Sequence, residues 1–295
     1  MSRVREYQQA YEKALTNLKN NSNTLAVIVY GSIVTGDIWE ESDIDFIVVT
    51  SEEDKMDILY TKEHGIFMHI NYMSKDLFIR NYQNIIKGGT FHKAFSSGKL
   101  AYCIDKDVKS IYQATRFYSD SDRCIRNIDI LCEIFNLMHY AKKFYYTKKY
   151  ETSYELALLV YKNYARLEMN MSGYVTDKDV ISIAVNLDSN IEELFSILVG
   201  NESLDYRINR VLEHVESFIE KNIGRITLPI VEFIQKNNNL CSIMDIQEGK
   251  GFNLINKDMS LVIHEMAKQG IINETTRKYE TESGEFLVEE LVYSV

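Results

Sequence analysis

Between Gly31 and Val49 the chain reads GSIVTGDIWEESDIDFIVV, in which one isoleucine separates two aspartates, Asp43 and Asp45. Residues two apart in a β-strand share a face, so both carboxylates point the same way while Ile44 and Phe46 point into a core. Two carboxylates on a rigid strand suit one or two hard divalent cations, Mg²⁺ or else Mn²⁺, which keep water and phosphate oxygens in their shells. Gly31 and Ser32 end an apolar run in a turn that can offer backbone N–H groups and a hydroxyl to a phosphate. Gly36 and Ser42 complete the pattern. Together these residues describe a site for a nucleoside triphosphate (NTP) and its metals: Asp43 and Asp45 on the metal side, Gly31, Ser32, Gly36 and Ser42 on the triphosphate side.

This stretch resembles the signature of the DNA polymerase β-like nucleotidyltransferase superfamily, a Gly-Ser turn followed by Asp-x-Asp on the next strand. The resemblance is specific over residues 25–50 and follows the order of elements to about residue 105. The layout is also similar to aminoglycoside and lincosamide nucleotidyltransferases. In adding a C-terminal winged-helix-like region it is similar to uncharacterised nucleotidyltransferase-like proteins of Bacillus-type bacteria. The resemblance implies that Gly31 and Ser32 contact the triphosphate and that Asp43 and Asp45 hold the metals. It implies metal-dependent transfer of a nucleoside monophosphate from an NTP to a hydroxyl, with pyrophosphate leaving.

The family has a third acid on a following strand. Here that strand reads IFMHINYMS (66–74), with Met68, Ile70 and Tyr72 on one face and His69 and Asn71 on the other. His69 falls where the acid is expected. Two readings stand side by side. His69 replaces the acid, since neutral imidazole accepts a proton near pH 7 and binds transition metals better than Mg²⁺. Alternatively the second metal site is gone, and a catalytically impaired homologue acts as a nucleotide-binding sensor or regulatory protein. An acid from the helical region could also serve as base; Glu133, Glu155 and Glu168 lie in apolar helical stretches. Trp39 could stack on a base or pack, and Arg80, Lys87, His92 and Lys93 could meet phosphates or form a solvated face.

The elements that must position these groups follow from periodicity. A helix is expected over 3–20 and strands over 25–31, 43–50, 66–74 and 99–105. Ser51 with its following acids suggests a helix over 51–64, and Ser74 one over 74–86. This is an α+β region (1–118) with a mixed sheet and flanking helices. Helical spacing over 122–147, 151–170, 177–200 and 203–222 predicts a central bundle, domain 119–224, expected to bind substrate. In 225–295, Thr227 caps a helix with Pro229 in its first turn, CSIMDIQ and NKDMSLVIHEMAKQG supply two more, and a hairpin turns at Glu282-Ser283-Gly284. Three helices and a hairpin predict a winged-helix-like module.

The 295 residues carry a net charge of -10. That sign counts against nucleic acid and favours a metal or a small, hydroxylated, cationic substrate. The C-terminal 226–295 has six bases against eleven acids, a net -5, which favours packing or a homodimer over DNA reading. No apolar run nears the ~18 residues needed to span a bilayer, and the N-terminus has no apolar signal core. The expectation is a cytoplasmic protein without a membrane partner, its four cysteines free.

Overall fold

The computed structural model describes residues 3–53, 56–83, 85–175, 179–281 and 283–295. The remaining positions, which include parts of the expected 51–64, 74–86 and 177–200 helices and Glu282 of the expected turn, lie outside the described residues. The chain divides into two units, Met1–Ser119 and Asp120–Val295.

The first unit opens with α1 (Arg3–Asn20), which buries Tyr7 and Ala10 along one stripe. A five-stranded sheet follows: β1 (Thr24–Tyr30), β2 (Ile44–Thr50), β3 (Met56–Glu63), β4 (Ile66–Ser74) and β5 (Lys99–Cys103), in the order β3-β4-β2-β1-β5. β2 and β4 run parallel and the other neighbours antiparallel, so the sheet is mixed. Helices α3 (Lys75–Gln83), α4 (Thr90–Ser97) and α5 (Lys106–Thr115) complete the unit, after a single helical turn α2 (Ser32–Thr35) behind β1.

Alternation divides the sheet between two cores. Val27, Val29, Ile44, Phe46, Val48, Met68, Ile70 and Tyr72 pack with Tyr7 and Ala10 of α1. Ala26, Ile28, Ile47, Val49 and Met73 pack on the opposite face with Phe78, Phe95, Val108 and Tyr112. Both faces of β1 and β2 are covered, which is why these strands read as continuous apolar runs. Asp45 opens β2 on the second face, ahead of Ile47 and Val49.

The expected helix over 51–64 is wrong. Met56–Glu63 is an edge strand paired antiparallel with β4 through a two-residue turn, Glu63 opposite Ile66. His64 (φ 49) and Gly65 (φ 81) both take positive φ, as tight hairpin turns require. The acid-rich start mimicked a helix N-terminus, but the pairing edge of β4 decides the conformation.

In the second unit α6 (Asp120–Tyr146) and α7 (Tyr150–Met171) form a long pair, joined by α8 (Val180–Val185), α9 (Ser189–Val199) and α10 (Leu204–Ile226). The helical stretch expected over 177–200 forms two helices, α8 and α9, and the Asp188 carboxylate accepts the Asn190 N–H at the start of α9. Asn170 donates to Asn127 at 2.7 Å, satisfying two buried amides between α6 and α7. Asp129 of α6 is buried and bridges Arg126 and Lys257, each at 2.6 Å.

The chain ends with α11 (Leu228–Lys236), β6 (Cys241–Ser242), α12 (Ile243–Gln247), α13 (Ser260–Lys268), β7 (Asn273–Glu280) and β8 (Phe286–Ser294). The three strands form a sheet in the order β6-β8-β7. Pro229 sits in the first turn of α11, but Thr227 does not cap it; the Thr227 hydroxyl donates back to the Ile223 carbonyl of α10 at 2.7 Å. Ser242 caps the next helix, α12, forming a reciprocal box with Asp245. Gly270, just past α13, takes φ 69.

Candidate active site

Strand register builds the site. Tyr60 on β3 pairs with His69 on β4, His69 with Asp45 on β2, and Asp45 with Tyr30 on β1. Paired residues share a face, so one rung crosses four strands as Tyr60–His69–Asp45–Tyr30. Asp43 lies one residue before β2 rather than on it. Its carboxylate still converges on the rung: His69 Nδ1 is 3.1 Å from Asp43 Oδ2 and 3.4 Å from Asp45 Oδ1. One donor atom from each of Asp43, Asp45 and His69 lies within 4.8 Å of the others, and all three residues are partly exposed.

Three neighbours frame this cluster. The Tyr60 ring meets the His69 imidazole edge-on, with centroids 4.9 Å apart. Asn71, on the same face of β4, donates to the Tyr30 hydroxyl at 3.0 Å. The Tyr30 hydroxyl is pushed up to about 12, first by burial and then by the negative charge of Asp45 and Asp43. It is therefore a neutral hydroxyl beside the carboxylates at physiological pH.

Gly31 follows Tyr30 directly, with φ 82 and ψ -160, a region essentially closed to other residues. A Cβ added there would stand 2.8 Å from Asp45 Oδ2. Glycine is required twice, by the backbone and by the carboxylate against it. Ser32 begins α2, and Gly36 (φ 88) closes that turn by donating to the Ser32 carbonyl. The Ser42 hydroxyl accepts the Trp39 N–H at 3.0 Å, and the Ser42 carbonyl accepts the Tyr7 hydroxyl. Ser42 thus pins the loop that delivers Asp43, while the Trp39 side chain is exposed.

The other polar candidates fall elsewhere. His92 is fully buried between the Gly88 N–H, which donates to its Nδ1, and the Thr115 carbonyl 2.7 Å from its Nε2. It is a packing residue, not a phosphate contact or part of a solvated face. Lys87 donates to the Phe117 carbonyl. Arg80 is exposed and Lys93 half-buried. In the second unit Glu155 is exposed, and Glu133 lies 3.8 Å from Lys257. Glu168 has its pKa raised by burial, with Asp188 adding to the shift. Sequence reasoning missed Tyr30 and Tyr60. An aromatic residue immediately before Gly31 was a signal for the first. The second was hidden by the helical reading of 51–64.

A mixed sheet with a Gly-Ser turn behind its first strand, and acid side chains gathered at the start of the next, defines a nucleotidyltransferase-like domain. Residues 12–107 match the family described as "Polymerase beta, Nucleotidyltransferase". That match spans most of the first unit and supports its likeness to the DNA polymerase β-like nucleotidyltransferase superfamily. The chain is also similar to the crystal structure of a nucleotidyltransferase-like protein from Exiguobacterium sibiricum 255-15. That likeness has a TM-score of 0.72 at 13% identity and covers 98% of this chain and 99% of the other, a likeness of fold. None of the curated proteins compared matches the chain.

The donor set fits a divalent cation. It offers two carboxylate oxygens and an imidazole nitrogen close together, with the Asp45 carboxylate packed against Gly31 where a side chain would otherwise stand. Among the described residues no helix is long and apolar enough to cross a membrane.

Proposed function

We propose that the protein transfers a nucleoside monophosphate from an NTP to a hydroxyl of a small substrate. The observation that carries this reading is the convergence of Asp43, Asp45 and His69 beside the Gly31 turn. Asp43 and Asp45 would hold Mg²⁺ or Mn²⁺, with His69 completing the cluster. Gly31 and Ser32 would face the triphosphate, flanked by Gly36 and Ser42. When bound, the metal would withdraw charge from the α-phosphate and the departing pyrophosphate. The acceptor oxygen would form the new P–O bond as the α–β bridge breaks, and the acceptor proton would pass to a base or solvent. Gly31 lets the Asp45 carboxylate lie close against the turn, and the Tyr60 ring braces the imidazole edge-on.

The test is incubation with Mg²⁺ or Mn²⁺, labelled ATP, CTP, GTP or UTP, and a panel of hydroxylated and cationic acceptors. Transfer that disappears in Asp45→Ala is the expected result. Nucleotide binding without pyrophosphate release under any metal and acceptor would instead support the second reading, a nucleotide-binding sensor. What favours that alternative is the histidine that β4 presents to the Asp pair.

The domain reading remains 1–118, a substrate-binding bundle 119–224 and a winged-helix-like 225–295. The order α11, β6, α12, α13, β7, β8 and the β6-β8-β7 sheet support the last part. Its net -5 charge supports packing or a homodimer rather than DNA contact. A cytoplasmic location fits free cysteines and a nucleotide substrate.

A further inference from the structure

We infer that His69 is a direct metal ligand through Nδ1, and that this makes the centre select a transition ion such as Mn²⁺ over Mg²⁺. The inference rests on the proposal that Asp43 and Asp45 form a metal centre, and it concerns which ion they accept.

The argument starts from spacing. Donors about 2.1 Å from one ion stand about 3.0 Å apart at right angles and about 3.4 Å apart at the tetrahedral angle. His69 Nδ1 stands 3.1 Å from Asp43 Oδ2 and 3.4 Å from Asp45 Oδ1. Both nitrogen–oxygen spacings match neighbouring corners of one coordination shell, and the three donor atoms lie within 4.8 Å of one another. A neutral imidazole with its proton on Nε2 presents the Nδ1 lone pair to an ion held by the two carboxylates.

The nitrogen is held there by the fold. Parallel pairing places His69 directly beside Asp45, and the Tyr60 ring braces the imidazole edge-on. The described neighbours on this face are Phe67 and Asn71 on β4 and Ile58, Tyr60 and Lys62 on β3, and none offers a carboxylate in its place. Chemistry then sets the choice of ion. Mg²⁺ demands oxygen ligands in a near-ideal octahedron and binds imidazole poorly, whereas Mn²⁺, Co²⁺ and Zn²⁺ accept a mixed nitrogen and oxygen set. The substitution of an acid by His69 thus lowers the negative charge of the site and changes the class of ion it prefers.

The experiment is direct metal binding to the full-length, nucleotide-free protein, read by calorimetry with Mn²⁺ and Mg²⁺. Electron spin-echo modulation of the Mn²⁺ form reports a bound ¹⁴N. Wild type should bind Mn²⁺ at least about tenfold more tightly than Mg²⁺ and show nitrogen coupling. His69→Gln, close in shape, should lose the coupling and about 10- to 100-fold in Mn²⁺ affinity, with Mg²⁺ affinity within about threefold of wild type. His69→Asp should restore Mg²⁺ binding; circular dichroism checks that both variants fold. Mg²⁺ bound as tightly as Mn²⁺, or Mn²⁺ bound without nitrogen coupling, overturns the assignment. Transfer activity separates this inference from the function it rests on. Mg²⁺-supported transfer without nitrogen coupling sinks His69 ligation and leaves nucleotidyl transfer standing. Nitrogen-coupled Mn²⁺ without transfer under any ion does the reverse.

Discussion

Replacing Gly31 by alanine separates backbone strain from damage to the site. At φ 82 and ψ -160 an alanine costs about 1–3 kcal/mol in strain. The new Cβ also stands 2.8 Å from Asp45 Oδ2, whereas ordinary contact begins at 3.4 Å, so the carboxylate must retreat by about 0.6 Å. Metal–ligand distances tolerate only about 0.2 Å. The shift therefore takes Asp45 out of bonding range unless its side chain turns away. Gly36→Ala is the matched control: φ is 88, the strain is about 1–2 kcal/mol, and nothing lies within 4 Å of the added carbon. Both variants should unfold at lower temperature in a thermal melt. Only Gly31→Ala should also lose Mn²⁺ affinity by calorimetry, on the order of 10- to 100-fold. Equal metal affinity in the two variants would refute the close packing of Gly31 on Asp45 as a condition of the site.

Two further outcomes concern the second unit. Asp129→Ala removes a buried carboxylate that anchors Arg126 and Lys257, each at 2.6 Å, so it should cost about 3–5 kcal/mol in a denaturant melt, and a loss below about 1 kcal/mol would remove this bridge as a staple. Glu168 has its pKa raised by burial, so its contribution to stability is present below its ordinary 4.5 and is lost as pH rises through the higher folded value. Glu168→Gln should therefore melt above wild type at pH 8, with the gap closing near pH 4.5; a gap that stays constant with pH would show that burial of the charge is not the cause.

The parts of the fold visible in the sequence are those where local pattern and tertiary packing agree. Phe46 and Val48 pack against the α1 side while Ile47 and Val49 face the other core, so the chain had to be apolar on both sides and the strand was plain. The long helices α6 and α7 each repeat a buried stripe over many turns. The hairpin of β3 and β4 was not visible. β3 exposes nearly its whole length, so no buried face marks it, and its first residues imitate a helix cap. Only the His64-Gly65 turn carried the information, and His-Gly is a weaker cue than Asn-Gly. Thr227 failed for a related reason: its hydroxyl found a nearer acceptor in the preceding helix.

The same contrast explains why the candidate site was legible in its acids and obscure in its surroundings. Asp43, Asp45 and Gly31 are close in sequence, and a two-residue period brings the carboxylates to one side whatever the rest of the chain does. Tyr60 reaches the site only because β3 folds back on β4, and Tyr30 only because β1 lies antiparallel to β2. His69 stands between these cases. Its face on β4 follows from alternation, but its closeness to Asp45 depends on parallel register across sequence distant by more than twenty residues. A one-residue slip of β4 would turn Met68 or Ile70 toward the carboxylates and His69 into the α1 core. Met68 and Ile70 packing on the α1 side therefore does more than stabilise the sheet: it selects the register that places a nitrogen, rather than a methyl group, against the two carboxylates.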